Sequence, residues 1–220
     1  FANEQIFLKT KTDTSLKGMG TTCTVLLNRN NEFYLAHVGD SRAYFYESKK
    51  LHRLTKDHSY VQKLVDSGVY MTEEEMESHP RKNEILRALG IASSVEVEVC
   101  NQPILATKGS QIVLCSDGLC GMINDAKMNS ILDTGKGINS LSNDLVSAAK
   151  VAGGHDNISV VIVDVINSPH KQSSFIDKSH KKPKLESKSP NSIDIGSYFN
   201  GYKKEIALFS SLLILMLISF

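Results

Sequence analysis

An apolar run that ends in an acidic turn is the feature that most constrains how this chain can fold. Residues 111–122 read QIVLCSDGLCGM, so an apolar stretch of strand length runs directly into Ser116, Asp117 and Gly118. A carboxylate at the end of a buried strand is costly unless something positive compensates it. Glycine permits a sharp turn that can aim the carboxylate outward. The sequence therefore predicts a buried strand whose end presents an acid that needs a positive partner.

Two further acids stand at the margins of strand-like segments. Asp156 precedes the apolar run 157–165, and Asp40 follows the run Phe33 to Val38 within a Gly-Asp-Ser turn. If these margins converge at one edge of a sheet, the carboxylates form an oxygen-rich pocket. Hard divalent cations such as Mg²⁺ and Mn²⁺ prefer that kind of ligand. The alternative is that each acid only caps its own turn, as aspartate commonly does beside glycine or serine.

Other candidate ligands carry less weight. His155 lies beside Asp156, but no second His or Cys stands at zinc-ligand spacing, which argues against a zinc site. None of the four cysteines belongs to a CxxC pair, and we interpret them as reduced thiols of a cytosolic protein. Three arginines could bind phosphate or could simply be solvated surface groups: Arg42, Arg81 and Arg87.

The periodicity of apolar residues and the turn signals predict a mixed α and β domain over residues 1–166. Residues 23–55 alternate apolar runs with turn-rich stretches, which is typical of a β-meander. Helices are predicted after Ser59, after Thr72 (where Glu75 completes a capping box) and over 138–152. Further strands are predicted at 95–99, 111–115 and 157–165.

The C-terminal part of the chain changes in character. Residues 167–204 are polar and rich in lysine, which predicts a disordered linker. Residues 205–220 contain an uncharged apolar run from Ile206 that is shorter than the ~20 residues of a membrane span. Because the preceding lysines follow the positive-inside pattern, we expect a cytoplasmic domain anchored to the membrane by the start of a transmembrane helix. The alternative is a buried core helix preceded by lysines that only solvate the linker.

The charge distribution and the glycine pattern exclude a nucleic-acid partner. The net charge is only +1, and the basic residues cluster in the predicted linker rather than in the domain. No P-loop and no dinucleotide-binding glycine motif is present. A nucleotide-binding or DNA-binding module is therefore not expected.

Six short motifs in a fixed order carry a family resemblance. They are GMGTT (18–22), HVGDSRAY (37–44), LTKDHS (54–59), ILRALG (85–90), CSDGL (115–119) and GGHDNISV (153–160). Together they resemble the bacterial branch of the PPM-type (type 2C) metal-dependent protein serine/threonine phosphatases, over about the C-terminal two-thirds of that domain. The resemblance implies an α+β fold, with two packed antiparallel β-sheets flanked by helices in a four-layer αββα sandwich. That sandwich would be incomplete here because the N-terminal part is missing.

The resemblance also implies roles for individual residues. Asp117 and Asp156 match metal ligands of the family, and Asp40 matches an acid that shares a third, weaker metal with Asp117. The cofactors would be two Mn²⁺ or Mg²⁺ ions, with the third as an addition. Such ions lower the pKa of a bridging water, and the resulting hydroxide attacks phosphorus. Residues 66–82 would form a flap beside the active site.

The family's N-terminal motifs are not found in this sequence. They include a DGMGGH-like segment, whose Asp bridges both metals, and an earlier arginine that grips the phosphate; KGMGTT (17–22) does not replace them. We therefore expect an N-terminally truncated fragment that has no catalytic residue of its own and is inactive alone. The full-length protein would act in signalling on phosphorylated Ser/Thr proteins, such as kinase substrates or a kinase. The alternative is a non-catalytic, phosphatase-like regulatory or binding domain.

Overall fold

Two antiparallel sheets organise this computed structural model, which describes residues 1–29, 31–69, 71–174 and 213–217. The helices are α1 (Ala2–Thr12), α2 (Tyr60–Asp66), α3 (Glu73–Ser78), α4 (Asp117–Cys120), α5 (Asp125–Leu132) and α6 (Ile138–Val151), with a 3₁₀ turn at Thr14–Leu16. The strands are β1 (Cys23–Arg29), β2 (Glu32–Val38), β3 (Arg42–Glu47), β4 (Lys50–Arg53), β5 (Glu98–Val99), β6 (Ile104–Leu105), β7 (Gln111–Cys115), β8 (Val160–Asp164) and β9 (Leu213–Leu217).

The first sheet is built around the β1–β2 hairpin. In the described part of the chain its strand order is β5-β2-β1-β9, and β6 also pairs with β2. All of these pairings are antiparallel, and the hairpin register runs from Cys23 opposite Val38 to Arg29 opposite Glu32. The end of β2 therefore leads directly into the turn that carries Asp40.

The second sheet has the order β4-β3-β7-β8 and is also antiparallel. Arg42 at the start of β3 lies opposite Cys115 at the end of β7, and Cys115 lies opposite Val160 at the start of β8. The start of β3, the end of β7 and the start of β8 consequently lie side by side at one edge of the sheet, the edge that is formed by strand ends. This register explains why acids that are far apart in the sequence flank the same edge.

Two hydrophobic cores follow from the alternation of side chains along the strands. One core lies between the two sheets: Leu26, Phe33, Leu35, Ala43, Phe45, Ile104, Ala106, Ile112, Leu114 and Val165. The other lies between the second sheet and helices α4 to α6: Tyr44, Tyr46, Val113, Cys115, Leu119, Cys120, Ile123, Met128, Ile131, Leu132, Leu141, Leu145 and Ala149. The expected α+β fold of two packed antiparallel sheets flanked by helices is confirmed.

The local signals at helix starts act as predicted. Ser59 accepts a hydrogen bond from the backbone N–H of Gln62, which caps α2. At α3 the hydroxyl of Thr72 accepts from the N–H of Glu75, whose carboxylate accepts from the N–H of Thr72. These caps supply partners for amides that a helix leaves unpaired at its start.

Some element boundaries differ from the sequence-based predictions. The strand predicted at 95–99 is formed only at Glu98–Val99, and the one predicted at 157–165 begins at Val160. Val97 and Val99 are exposed, so their alternation with glutamates does not mark a buried face. The helices α4 and α5 were not predicted, because both are short and follow directly on a strand or a turn.

The start of the predicted linker is held against the domain. Asn31 donates from its side-chain amide to the carbonyl of Asn167, Ser168 donates to the carbonyl of Ala106, and Ser174 forms an isolated bridge with Leu105. Residues 167–174 thus differ from the predicted disorder, because their polar groups find partners on β6 and its neighbours. The rest of the linker, 175–204, lies outside the described residues.

The apolar C-terminal run contains a strand where a helix was predicted. Within 205–220 the structure describes Leu213–Leu217, and these residues pair antiparallel with β1 from Asn28 to Thr24. Pairing satisfies the backbone groups along the edge of β1 that does not face β2. Within the residues that the structure describes, no helix combines the length and apolar character needed to cross a membrane.

Candidate active site

Ser116 ties the turn after β7 to the turn before β8. Its backbone N–H donates to the carbonyl of Ser159 at 3.0 Å, and its hydroxyl donates to the carbonyl of Asn157 at 3.0 Å. The same hydroxyl accepts from the N–H of Ser159 at 3.0 Å. The residues next to Ser116 and Asn157 in the chain are Asp117 and Asp156, so this buried serine brings the two acidic turns side by side.

Gly118 allows these two turns to approach more closely than any side chain would permit. A Cβ added at this position would lie 2.3 Å from the carbonyl oxygen of Asn157 and 2.9 Å from its carbonyl carbon. Both atoms belong to the backbone and cannot move aside cheaply. The glycine of the Ser-Asp-Gly turn is therefore required by packing against the residue after Asp156, which is a tertiary reason and not only a local one.

The carboxylates of Asp117 and Asp156 each cap their own turn and also act on each other. Asp117 accepts from the N–H of Gly118 at 2.9 Å, and Asp156 accepts from the N–H of Asn157 at 2.6 Å. Burial raises the pKa of Asp117, and the negative charge of Asp156 raises this pKa further. Asp117 and Asp156 thus cap their own turns, and the two turns lie side by side.

Asp40 comes to the same edge from the turn between β2 and β3. Gly39 has φ +116°, and a Cβ there would lie 2.4 Å from the side chain of Thr22, so only glycine fits. Burial raises the pKa of Asp40 to about 6, and the charges of Asp117 and Asp57 add to the effect. One carboxylate oxygen of Asp40, Oδ1, is buried without a hydrogen-bond partner.

The three acids have the chemistry of a cation site, although they do not form a complete ligand set. The charge of Asp156 raises the pKa of Asp117, the charge of Asp117 raises the pKa of Asp40, and a bound cation would reverse both effects. In the described ranges, no group of three or more His, Cys, Asp or Glu side chains lies close enough together to hold a metal ion. The donor type and the unpartnered oxygen of Asp40 fit a divalent cation, whose remaining ligands would have to come from elsewhere.

Asp57 is a charged residue beside the site that the sequence-based reasoning did not single out. Arg42 grips its carboxylate with two nitrogens, Nε to Oδ1 at 3.1 Å and Nη2 to Oδ2 at 2.8 Å, and Arg53 pairs with it as well. Burial by itself would raise the pKa of Asp57, but the two guanidinium groups outweigh burial and hold that pKa below its usual value. Asp57 is therefore an ionised, half-buried residue beside the acids of the site.

The arginines considered as phosphate ligands all have other partners here. Arg42 is tied to Asp57, as described. Arg81 pairs with Glu84 at 2.6 Å and stacks over the ring of Tyr60, 3.4 Å from its centroid. Arg87 pairs with Glu96 at 3.1 Å.

The motif LTKDHS contains Asp57 and His58. It is the one feature of the sequence that could have pointed to Asp57.

Comparison with known proteins agrees with this geometry. Residues 1–63 match the family described as Protein phosphatase 2C. The chain is 38% identical over 162 residues to the serine/threonine phosphatase stp of Listeria welshimeri, which covers 74% of this chain and 63% of that protein.

Solved structures give the same result. The serine/threonine phosphatase PstP/Ppp of Mycobacterium tuberculosis is 36% identical, with a TM-score of 0.67 over 74% of this chain and 67% of that one. The catalytic domain of PstP in complex with two manganese ions is 33% identical, with a TM-score of 0.65 over 75% of this chain and 67% of that one.

The two packed antiparallel sheets and their flanking helices define an α+β domain with the fold of these serine/threonine phosphatases. On sequence and structure together, the chain belongs to the protein phosphatase 2C family, as the resemblance predicted. It spans 63% of the length of the Listeria relative, so the activity of a whole protein of this family comes to this chain only as a proposal.

Proposed function

We propose that the protein containing this chain hydrolyses phosphoserine and phosphothreonine in proteins, using water activated by divalent metal ions. The observation that carries the proposal is the shared packing of the Asp117 and Asp156 turns through Ser116 and Gly118. Asp40 approaches the same edge with an unpartnered carboxylate oxygen. The serine/threonine phosphatases among the relatives support the substrate class.

The residues of this chain would hold and place the metal ions. Asp117 and Asp156 would each present a carboxylate from a fixed turn, and Asp40 would contribute to a third, weaker site shared with Asp117. The ions, two Mn²⁺ or Mg²⁺ with a third as an addition, supply an activated water and offset charge on the phosphoryl oxygens when bound. The PstP structure with two manganese ions supports this choice of cofactor.

If this proposal is correct, the 220-residue chain by itself should be inactive. Its described residues do not supply a metal group of three or more ligands, so two ions could not be held tightly enough to activate water. Metal-dependent release of phosphate from a phosphothreonine peptide by this chain alone would contradict this part.

The main test uses the full-length natural protein that contains this chain. Asp117→Asn should abolish Mn²⁺-dependent hydrolysis of a phosphothreonine peptide, because loss of a carboxylate ligand removes the activated water. Circular dichroism should show an unchanged fold. Asp144→Asn is the matched control, since this aspartate lies on the surface in an ion pair with Lys136. Unchanged hydrolysis by the Asp117→Asn protein would refute the assignment.

A non-catalytic, phosphatase-like binding or regulatory domain is the second candidate. It is favoured by the incomplete metal group in the described part of the chain. Under this reading the full-length protein would bind a phosphorylated peptide without hydrolysing it, in the presence or absence of Mn²⁺. The hydrolysis assay above separates the two candidates directly.

The partners and location stay predictions. We expect phosphorylated Ser/Thr proteins, such as kinase substrates or a kinase, and a cytoplasmic domain held at the membrane by residues 205–220. The pairing of Leu213–Leu217 with β1 and a membrane helix over the same residues exclude each other. Cell fractionation with and without residues 206–220 tests the anchor, and a soluble parent protein would count against it.

A further inference from the structure

We propose that the dipeptide Asp57–His58 is a clamp that positions Asp40 for the metal site. The inference rests on the proposed function, because it concerns a carboxylate assigned there as a metal ligand. Both residues of the clamp contact the turn 39–42 that carries Asp40, one from each end. Neither is itself proposed to touch the metal or the substrate, so they are positioning residues.

His58 binds the first residue of the turn, Gly39. The backbone N–H of Gly39 donates to Nδ1 of His58 at 3.1 Å, and the backbone N–H of His58 donates to the carbonyl of Gly39 at 2.8 Å. The carbonyl of His58 in turn accepts from the N–H of Leu86 at 2.7 Å. Both polar backbone groups of Gly39 are thus used by a single residue that is fixed to another part of the chain.

Asp57 binds the last residue of the turn, Arg42. Two nitrogens of the guanidinium group bind the carboxylate in the bidentate geometry described above, and Arg53 binds it from β4. Charge-assisted pairs of this kind are stronger and more specific in geometry than neutral hydrogen bonds. Asp40 lies between the two contacts, so its backbone is held on both sides by neighbouring residues of one segment.

The orientation of the His58 ring is also determined. Because Nδ1 accepts a hydrogen bond from Gly39, the ring proton of the neutral imidazole must reside on Nε2. Nε2 lies 3.5 Å from Oε2 of Glu98 on β5 and 3.5 Å from Nη1 of Arg87. The ring stacks against His37 as well, with 4.9 Å between the centroids. The ring that accepts from the Gly39 amide is therefore surrounded by Glu98, Arg87 and His37.

Positioning is needed because burial and neighbouring negative charges make the ionised carboxylate of Asp40 unfavourable where it lies. Its carboxylate is half-buried, has an unpartnered oxygen and lies in the field of Asp117 and Asp57. Rotation into solvent would relieve both burial and repulsion. The contacts at Gly39 and Arg42 fix the backbone on both sides of Asp40, which limits the positions that its carboxylate can reach.

Amide exchange followed by NMR on the metal-free 220-residue chain tests the clamp directly. His58→Leu removes the acceptor for the Gly39 amide, whereas His58→Asn keeps an acceptor oxygen in nearly the same place. We expect the Gly39 amide to exchange at least tenfold faster in the leucine variant and close to the parent rate in the asparagine variant. If the leucine variant does not fold, Asp57→Asn provides the same measurement from the other end of the turn.

A matched control separates positioning from general destabilisation. Glu47→Gln is the same kind of change as Asp57→Asn, at the opposite end of β3, where Glu47 accepts hydrogen bonds from the hydroxyls of Thr107 and Ser173. We expect it to leave exchange at residues 39–42 unchanged. Equal acceleration in Glu47→Gln and Asp57→Asn, or no acceleration in either clamp variant, would overturn the proposal.

Mn²⁺ binding, measured by electron paramagnetic resonance on the full-length protein with the same substitutions, tests the consequence. Residues that orient a metal ligand typically change metal affinity by about 10- to 100-fold. We expect a loss in that range for His58→Leu and Asp57→Asn, and none for His58→Asn or Glu47→Gln. A full-length parent protein that binds no Mn²⁺ would count against the metal site in the proposed function, and the exchange data alone would then decide the clamp. Unchanged affinity in a chain that does bind Mn²⁺ would refute the positioning role.

Discussion

Replacing Asp40 with asparagine should stabilise the metal-free chain at neutral pH. In the folded protein, burial and the charges of Asp117 and Asp57 raise the pKa of Asp40 from 3.8 to about 6. Each unit of pKa shift corresponds to about 1.4 kcal/mol. The ionised carboxylate therefore costs roughly 3 kcal/mol of the free energy of unfolding above pH 6, as an upper value. Asparagine has a similar shape and carries no charge, so most of this cost should disappear.

The sign of the pH dependence follows from the raised pKa. Between pH 3.8 and about 6 the folded protein keeps a proton on Asp40 that the unfolded chain has lost, so stability falls as the pH rises through this window. Below the window both states are protonated, and above it both are ionised and the loss stays constant. The parent chain should therefore lose stability relative to Asp40→Asn between about pH 4 and pH 6 and keep that difference at higher pH.

Urea denaturation in the presence of a chelator, at several pH values from 4 to 8, measures this effect. The expected result is a higher unfolding free energy for Asp40→Asn at pH 7.5 and convergence of the two proteins near pH 4. Asp144→Asn is a control, because this aspartate forms an ion pair with Lys136 on the surface of α6. A variant that is less stable than its parent at pH 7.5, or a difference that does not depend on pH, would refute the electrostatic reasoning at Asp40.

Three further changes test the architecture by urea denaturation at pH 7.5. Gly118→Ala should destabilise the chain by more than about 2 kcal/mol, because its Cβ would meet the Asn157 backbone at 2.3 Å; a smaller effect would show that the two turns can separate freely. Leu145→Ala should cost about 2–5 kcal/mol, since Leu145 is fully buried, and a cost below 1 would contradict the helix packing. Tyr46→Phe should cost about 1 kcal/mol through loss of its 3.0 Å hydrogen bond to Asp133, an effect that Asp133→Asn should reduce.

Several features could be predicted from the sequence because their causes are local. The strands β1 to β3 and β7 follow from short apolar runs bounded by turn residues. The caps at Ser59 and Thr72 depend on residues three positions apart, as the observed hydrogen bonds show. The family resemblance, carried by motifs in order, predicted the packed sheets that the structure contains.

Other features could not be predicted because they depend on distant partners. The apolar run at 213–217 could serve a helix or a strand, and its pairing with β1 depends on a backbone edge almost two hundred residues away. Arginine is usually a solvated surface residue, and only folding brings Arg42 to Asp57. The clamp role of His58 likewise exists only once Gly39 is beside it.

The sequence by itself determined where carboxylates follow or precede buried strands, because hydrophobic periodicity and turn chemistry act over a few residues. Only the tertiary structure decided that Asp40, Asp117 and Asp156 approach one edge, since that depends on the antiparallel register of β3, β7 and β8. It also decided the electrostatics, because burial and the fields of neighbouring charges set the proton affinity of Asp40 and Asp117. Such fields arise from residues far apart in the chain and come into existence only when the chain folds.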